Sequence, residues 1–168
     1  MGAKGKQADE KTNVMRILDG KKIKYKSYCY LDSGVVSGME VAHVLGQDAN
    51  QVFKTLVTVG RSGANYVFVI PVCRELDLKK AAACVGEKKL DMRKSKELFG
   101  LTGYVHGGCS PIGMKKAFVT VVDESAARFE TIIFSAGRTG YQVELALADL
   151  QKVVRLALAD VVTDEAAE

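Results

Sequence analysis

The chain has no tryptophan, only two prolines and two histidines, and four cysteines without a CxxC pair among its 168 residues. Two histidines and scattered thiols do not supply the ligand spacing of a zinc site. Cys29, Cys73, Cys84 and Cys109 therefore read as reduced, mostly structural residues. No apolar run approaches the roughly 20 residues that cross a bilayer. The opening residues MGAKGKQADEK contain no apolar stretch of the kind a secretory signal needs. There is no GxGxxG fingerprint, no P-loop, no internal repeat and no low-complexity tract. These absences lead to the expectation of a soluble, cytoplasmic chain with one domain, no membrane partner, no metal and no cofactor.

What is present is an ordinary globular composition, with 48% hydrophobic and 26% charged residues. The net charge of +4 is too small to argue for nucleic acid by itself. Its distribution says more. Lys21, Lys22, Lys24 and Lys26 crowd one stretch, and Lys79, Lys80, Lys88, Lys89, Arg93, Lys94 and Lys96 crowd another. A phosphate backbone needs such local density, although solvated element faces produce it too.

Periodicity predicts a short leader over 1–11, a folded unit over 12–162 and a flexible tail over 163–168. A helix capped by Thr12 or Asn13 should run to Leu18 and stop at Gly20. Residues 22–30 alternate as a strand, and Met39 to Leu45 reads as a helix ending at Gly46. Phe53 to Val59 and Tyr66 to Val72 form a hairpin around RSGAN. Asp77 caps a helix from Leu78 to Val85, and residues 87–99 show weak helical periodicity. Strands are expected at Phe118 to Val122, Thr131 to Phe134 and Tyr141 to Leu145, with one or two helical turns at Glu124 to Phe129. A last amphipathic helix is expected from Ala148 to Ala159, with Leu150, Val153, Val154 and Leu158 on its stripe. Strands and helices interleave without strict alternation, so the fold class is α+β with a mixed sheet.

Three segments carry chemistry. Lys54 lies inside the apolar run VFKTLV, where a cation either snorkels to solvent or points into a cleft. Its neighbours Phe53 and Thr55 are candidates for the wall of such a cleft. The run Gly107-Gly108-Cys109-Ser110-Pro111-Ile112-Gly113 holds three glycines and a proline, which fixes an unusual backbone path. Main-chain N–H groups in such a loop can hold a phosphate or an oxyanion, or the loop can be purely structural. The third segment, SAGRTG, follows a β-run, and Arg138 in it could clamp an anion or simply face solvent. Ser110, Cys109 and His106 are close in sequence, but closeness in sequence does not make a nucleophile–base pair.

The segments KTLV, PVCRELDLKKAA, GYVHGGCSPIGMKK and FSAGRTGYQVELALADL, in this order and spacing, resemble the YbaK/EbsC family over residues 12–160. That family is related to the editing domain of bacterial prolyl-tRNA synthetase. The resemblance implies a mixed, mostly antiparallel, barrel-like sheet surrounded by helices. It implies an aminoacyl-tRNA deacylase acting in trans, most simply removing cysteine from tRNA for proline. It gives Lys54, Gly107, Gly108 and Ser110 catalytic roles. It gives Tyr30, Phe53, Thr55, Pro111, Gly113, Arg138 and Gln142 substrate-binding roles. Gln142 stands where the best-known branch has an acidic residue, while Glu144 is retained. The implied partners are the acceptor end of aminoacyl-tRNA and prolyl-tRNA synthetase in a ternary complex, with no metal and no cofactor. In the cysteine branch the substrate's own thiol attacks its ester. A water-using deacylase for alanine and a noncatalytic tRNA-binding module are the alternatives.

Overall fold

The structure is a computed structural model that describes residues 11–35 and 37–166. Of the expected leader only Lys11 falls among them, and its ammonium pairs with Asp19. The rest of the leader lies outside the described residues.

The chain begins with helix α1 (Asn13–Gly20). Thr12 is its N-cap, its hydroxyl accepting from Met15 N at 3.2 Å, worth about 1 kcal/mol for such a cap. Strand β1 (Lys26–Cys29), a 3-10 turn at Leu31–Ser33 and helix α2 (Gly38–Leu45) follow. The hairpin β2 (Phe53–Gly60) and β3 (Asn65–Pro71) comes next, then β4 (Arg74–Leu76) and α3 (Leu78–Val85). Asp77 caps α3 by accepting from Lys79 N and Lys80 N, both at 3.0 Å. Strand β5 (Leu90–Met92), helix α4 (Ser95–Thr102) and strand β6 (Val119–Asp123) complete the middle of the chain. After a 3-10 segment at Glu124–Arg128 come β7 (Ile132–Ser135), β8 (Tyr141–Leu145), α5 (Leu147–Val153), β9 (Ala157–Ala159) and β10 (Val162–Ala166).

The strands form a five-stranded sheet ordered β5-β2-β3-β6-β9, a three-stranded sheet β1-β8-β7 and the pair β10-β4. Only the β3–β6 and β6–β9 ladders are parallel. The two larger sheets meet at a parallel bridge between Val52 and Ile133, where Ile133 N donates to Gln51 O at 3.0 Å. The result is an α+β fold with mostly antiparallel sheets, barrel-like in its seam but not a closed barrel.

Strand β3 shows why the apolar run YVFVI is continuous. Val67 and Val69 pack into the main core with Val14, Leu18, Phe134 and Val143. Phe68 and Ile70 point the other way, into a second core with Ala81, Ala82, Leu90 and Val121. Side chains alternate along a strand, so a sheet covered on both faces needs apolar residues at every position. Phe134 is fully buried, and truncating such a residue to alanine costs about 3–5 kcal/mol.

The structure departs from expectation at four places. Residues 22–25 are not strand: Lys22 takes φ 58° and its N–H closes a turn onto Asp19 O at 3.0 Å. The charged segment 87–99 divides into β5 and the start of α4. The expected helix to Ala159 ends at Val153, and Val154 is already extended with φ −130° and ψ 126°. The β-branched pair Val153-Val154 disfavours helix, and residues 157–159 pair with β6 instead. Leu158 is accordingly exposed rather than part of a buried stripe. Finally, residues 163–166 of the expected tail belong to β10, held by backbone pairing with β4.

Candidate functional site

Strand β2 carries Lys54 opposite Ile70 in the hairpin register. Its side chain opens on a cavity of about 320 Å³ lined by residues from six parts of the chain. The floor is β2 itself, Val52 through Val57. One wall is Tyr30 and the start of α2 at Ser37 and Gly38, another is Arg93, Ser95 and Leu98, and the rim includes His106, Gly107 and Cys109. Ser135 and Gln142, paired across β7 and β8, close the fourth side.

Lys54 is half-buried, and among the described residues it has no hydrogen-bond or ion-pair partner. Burial pushes its ammonium below the ordinary lysine range, partly offset by the charge of Glu75 and by Cys73. A strand cation in an apolar wall has thus been left short of compensation, the condition in which an anionic ligand gains most from binding. Next to it the Thr55 hydroxyl is buried without a partner. An orphaned hydroxyl costs about 1–3 kcal/mol, a penalty that a polar group of a ligand offsets.

The glycine loop lies against the turn that contains Arg138. A Cβ at Gly108 would stand 2.9 Å from Thr139 N, so that position tolerates no side chain without backbone movement. Gly107 has φ 89°, a conformation that glycine adopts without strain. The N–H of Gly108 is used within the loop, donating to Val105 O at 3.0 Å. The N–H groups of Gly107 and Cys109 have no acceptor among the described residues, and both residues line the cavity.

The expected site residues therefore divide. Tyr30, Phe53, Lys54, Thr55, Gly107 and Gln142 come together on one cavity. Gly108, Ser110, Pro111, Gly113 and Arg138 are not among its lining residues. Ser110 has no exposed surface, and its Oγ accepts from Ile112 N at 3.3 Å within the loop. Gly113 is where Tyr104 OH and Ile17 Cδ1 would each meet a Cβ at 2.9 Å, so it shapes the loop from behind. Arg138 is exposed and lies over the Tyr141 ring, 5.3 Å from its centroid. The Cys109 thiol, on the rim, is pushed up to about 11 by burial, so it is not ionised near neutrality and is a poor nucleophile.

Sequence reasoning missed two residues. Gln47, after α2, donates from Nε2 to Gln142 Oε1 at 2.9 Å and fixes the amide that faces the cavity. Nothing in the local sequence joins residues so far apart. Arg93 read only as one of a charge cluster, yet it lines the cavity. It is held by Asn65 Oδ1 at 2.8 Å and Glu97 Oε2 at 3.2 Å. Glu144 accepts from Tyr28 OH at 2.6 Å and Thr131 Oγ1 at 2.5 Å and is not a lining residue. The lysine cluster also breaks up, since Lys80 binds Asp160 and Asp164 and Lys89 pairs with Asp91 at 3.8 Å. Among the described residues no group of three or more His, Cys, Asp or Glu could hold a metal ion, and no helix is long and apolar enough to cross a membrane.

Residues 33–153 match the family described as the aminoacyl-tRNA editing domain. The chain is 44% identical over 161 residues to an Enterococcus faecalis protein named as a candidate Cys-tRNA(Pro)/Cys-tRNA(Cys) deacylase, EbsC. That alignment covers 95% of this chain and 98% of the relative. It is 32% identical to a proline–tRNA ligase of Shouchella clausii over 102 residues, 61% of this chain and 18% of the ligase. In fold it is similar to the crystal structure of hypothetical protein APE2540, with a TM-score of 0.82, 22% identity and coverage of 90% of this chain and 100% of that one. A structure described as a candidate trans-editing enzyme for prolyl tRNA synthetase gives a TM-score of 0.78, 24% identity and coverage of 92% and 99%.

Proposed function

Because the chain belongs to the aminoacyl-tRNA editing domain family, we propose that it is an aminoacyl-tRNA deacylase acting in trans, clearing cysteine from mischarged tRNA for proline. The observation that carries this reading is Lys54, a half-buried cation that has no partner among the described residues, on the same cavity as two main-chain N–H groups that have none there either. The cavity has a charge and donors, and its one thiol, Cys109, is held protonated by burial. A cysteinyl substrate brings a thiol of its own. Its thiol sulfur attacks its own ester carbonyl carbon, forming the S–C bond of a cyclic thiolactone. The ester C–O bond breaks, and the thiol proton ends on the released ribose hydroxyl, so atoms balance without water.

The protein's part is to fold the substrate toward attack and to meet the charge that develops. Gly107 N–H and Cys109 N–H are the donors for the carbonyl oxyanion. Lys54 acts as a point charge on the terminal phosphate or the departing oxygen. Tyr30, Phe53, Thr55 and Gln142 shape the aminoacyl pocket, with Gln142 held by Gln47. Gly108, Ser110, Pro111 and Gly113 act by setting the loop's path. The catalytic unit is the whole folded domain from residue 12 through β10, working in the cytoplasm, and docking on prolyl-tRNA synthetase would deliver the tRNA.

The test is a side-by-side deacylation assay with Cys-, Ala- and Ser-charged tRNA for proline. Cysteine should be released fastest, as a thiolactone visible by mass spectrometry. Equal release of alanine would mean that water attacks, because a side chain without sulfur cannot cyclise.

A further inference from the structure

Phe99 is the one aromatic side chain that is exposed among the described residues, at 62% of its full surface. It lies on α4, whose adjacent residue Leu98 is buried and lines the cavity. Position i+1 from Phe99 is Gly100, and position i+4 is Gly103, so neither puts a side chain over the ring. A Cβ at Gly100 would meet nothing within 4 Å. Packing therefore does not require glycine there, although an interior helix glycine costs about 0.5–1 kcal/mol relative to alanine.

Charge brackets this ring from two separate parts of the chain. Lys94 and Lys96 stand at the N-terminal end of α4. Lys115 is brought to the C-terminal end, where its N–H donates to Thr102 O at 2.9 Å, and Lys116 follows it. All four are exposed, and among the described residues none forms an ion pair within 4.0 Å, although Lys94 lies near enough to Glu97, itself paired to Arg93, for its N–H and its charge to lower the Glu97 pKa. An eight-residue helix is about 12 Å long, so free cations stand at both ends of a short aromatic platform beside the cavity mouth. An aromatic face with cations around it suits a single strand of nucleic acid, because every base has a π-face and every phosphate a charge. An apolar protein partner would not use four unpaired lysines.

We propose that the outer face of α4 seats the unpaired 3′ end of the RNA, with Phe99 stacking a nucleobase and Lys94, Lys96, Lys115 and Lys116 holding phosphates. This rests on the deacylase reading for the identity of the RNA, and it names the surface that leads the ester into the cavity. Stacking here confers affinity without sequence preference, so the platform serves any acceptor end.

The chain has no tryptophan, so Phe99→Trp gives a single intrinsic reporter at the platform. It is titrated with an uncharged RNA minihelix ending in a single-stranded 3′ overhang, and with the same duplex made blunt. The overhang should quench the reporter saturably and the blunt duplex should not. Phe99→Ala should weaken overhang binding about 10-fold by loss of one stacked base. It should raise KM for charged tRNA with kcat unchanged, and Phe99→Trp should restore it. Removing Lys96 and Lys115 together should flatten the salt dependence of binding. A silent reporter, equal quenching by the blunt duplex, or an unchanged KM in Phe99→Ala overturns the proposal. Because the titration uses uncharged RNA, the outcomes separate: deacylation with a silent reporter defeats the platform alone, and quenching without deacylation of any charged tRNA defeats the deacylase reading alone.

Discussion

Two lysines of this chain sit in comparable, partly covered positions and meet opposite surroundings. Lys80 on α3 places its ammonium 3.2 Å from both Asp160 and Asp164 and 2.8 Å from Val162 O. Its acidic partners, Asp160 first, hold its pKa above the ordinary lysine value. Lys54 on β2 has no such partner, and burial holds its pKa below that value. The saturated lysine fastens α3 to the C-terminal segment. The unsaturated one faces a cavity and keeps its charge available. The lesson is that satisfaction, not residue type or local charge density, separates a structural cation from a functional one.

The largest effect should come from erasing the free charge. Lys54→Ala should slow single-turnover deacylation by at least about 100-fold, about 2.7 kcal/mol of barrier, with no loss of thermal stability. A wild-type rate in that variant would remove the cavity from the chemistry. Lys54→Arg should not restore activity, since a planar guanidinium is larger and directs its donors differently.

A subtler intervention changes the surroundings of Lys54 and leaves it in place. Burial depresses its pKa and Glu75 opposes that depression. Activity that needs the ammonium should therefore fall at alkaline pH, below the ordinary lysine value. Glu75→Gln should move that alkaline limb of kcat/KM further down in pH. An unmoved or upward-moved limb would show that the titrating group is not Lys54. Stability carries the opposite sign from the usual lysine pair: the unfolded chain binds this proton more tightly, so this contribution improves as pH rises from the folded pKa toward the unfolded one.

Lys80→Met should leave deacylation unchanged and lower the thermal midpoint, and the loss should shrink at high salt as screening weakens the wild-type pairs. Lys80 gives the ordinary sign, since its stabilisation is present below the unfolded lysine pKa and is lost as pH rises through the raised folded value. A fall in kcat would break the contrast between the two lysines. The smallest effect is expected at Cys109. Its protonated thiol makes Cys109→Ala a change of less than about threefold in rate, under ~1 kcal/mol of barrier. A trapped acyl-enzyme on Cys109 would replace the substrate-thiol mechanism with an enzymic one.

Much of the site was legible because it is local. A lysine inside VFKTLV and a glycine-rich loop announce themselves within a few residues, and both reach the cavity. Helices α1, α2 and α3 were legible from caps and glycine stops, whose bonds close within one turn. Gln47 was not legible, since its meaning depends on Gln142, a partner far along the chain on another element. The direction of the Ser110 side chain was not legible either, since only the folded loop turns its hydroxyl inward, onto Ile112 N.

The sequence by itself determined the β2–β3 hairpin, the capped helices and the presence of a cation inside an apolar strand, because alternation, capping and apolar runs act between near neighbours. Only the tertiary structure decided where α5 ends, that residues 162–166 pair with β4, and which lysines are free. Those outcomes depend on strand pairing and ion pairing between segments distant in the chain, and local propensity carries no information about a partner it does not contain.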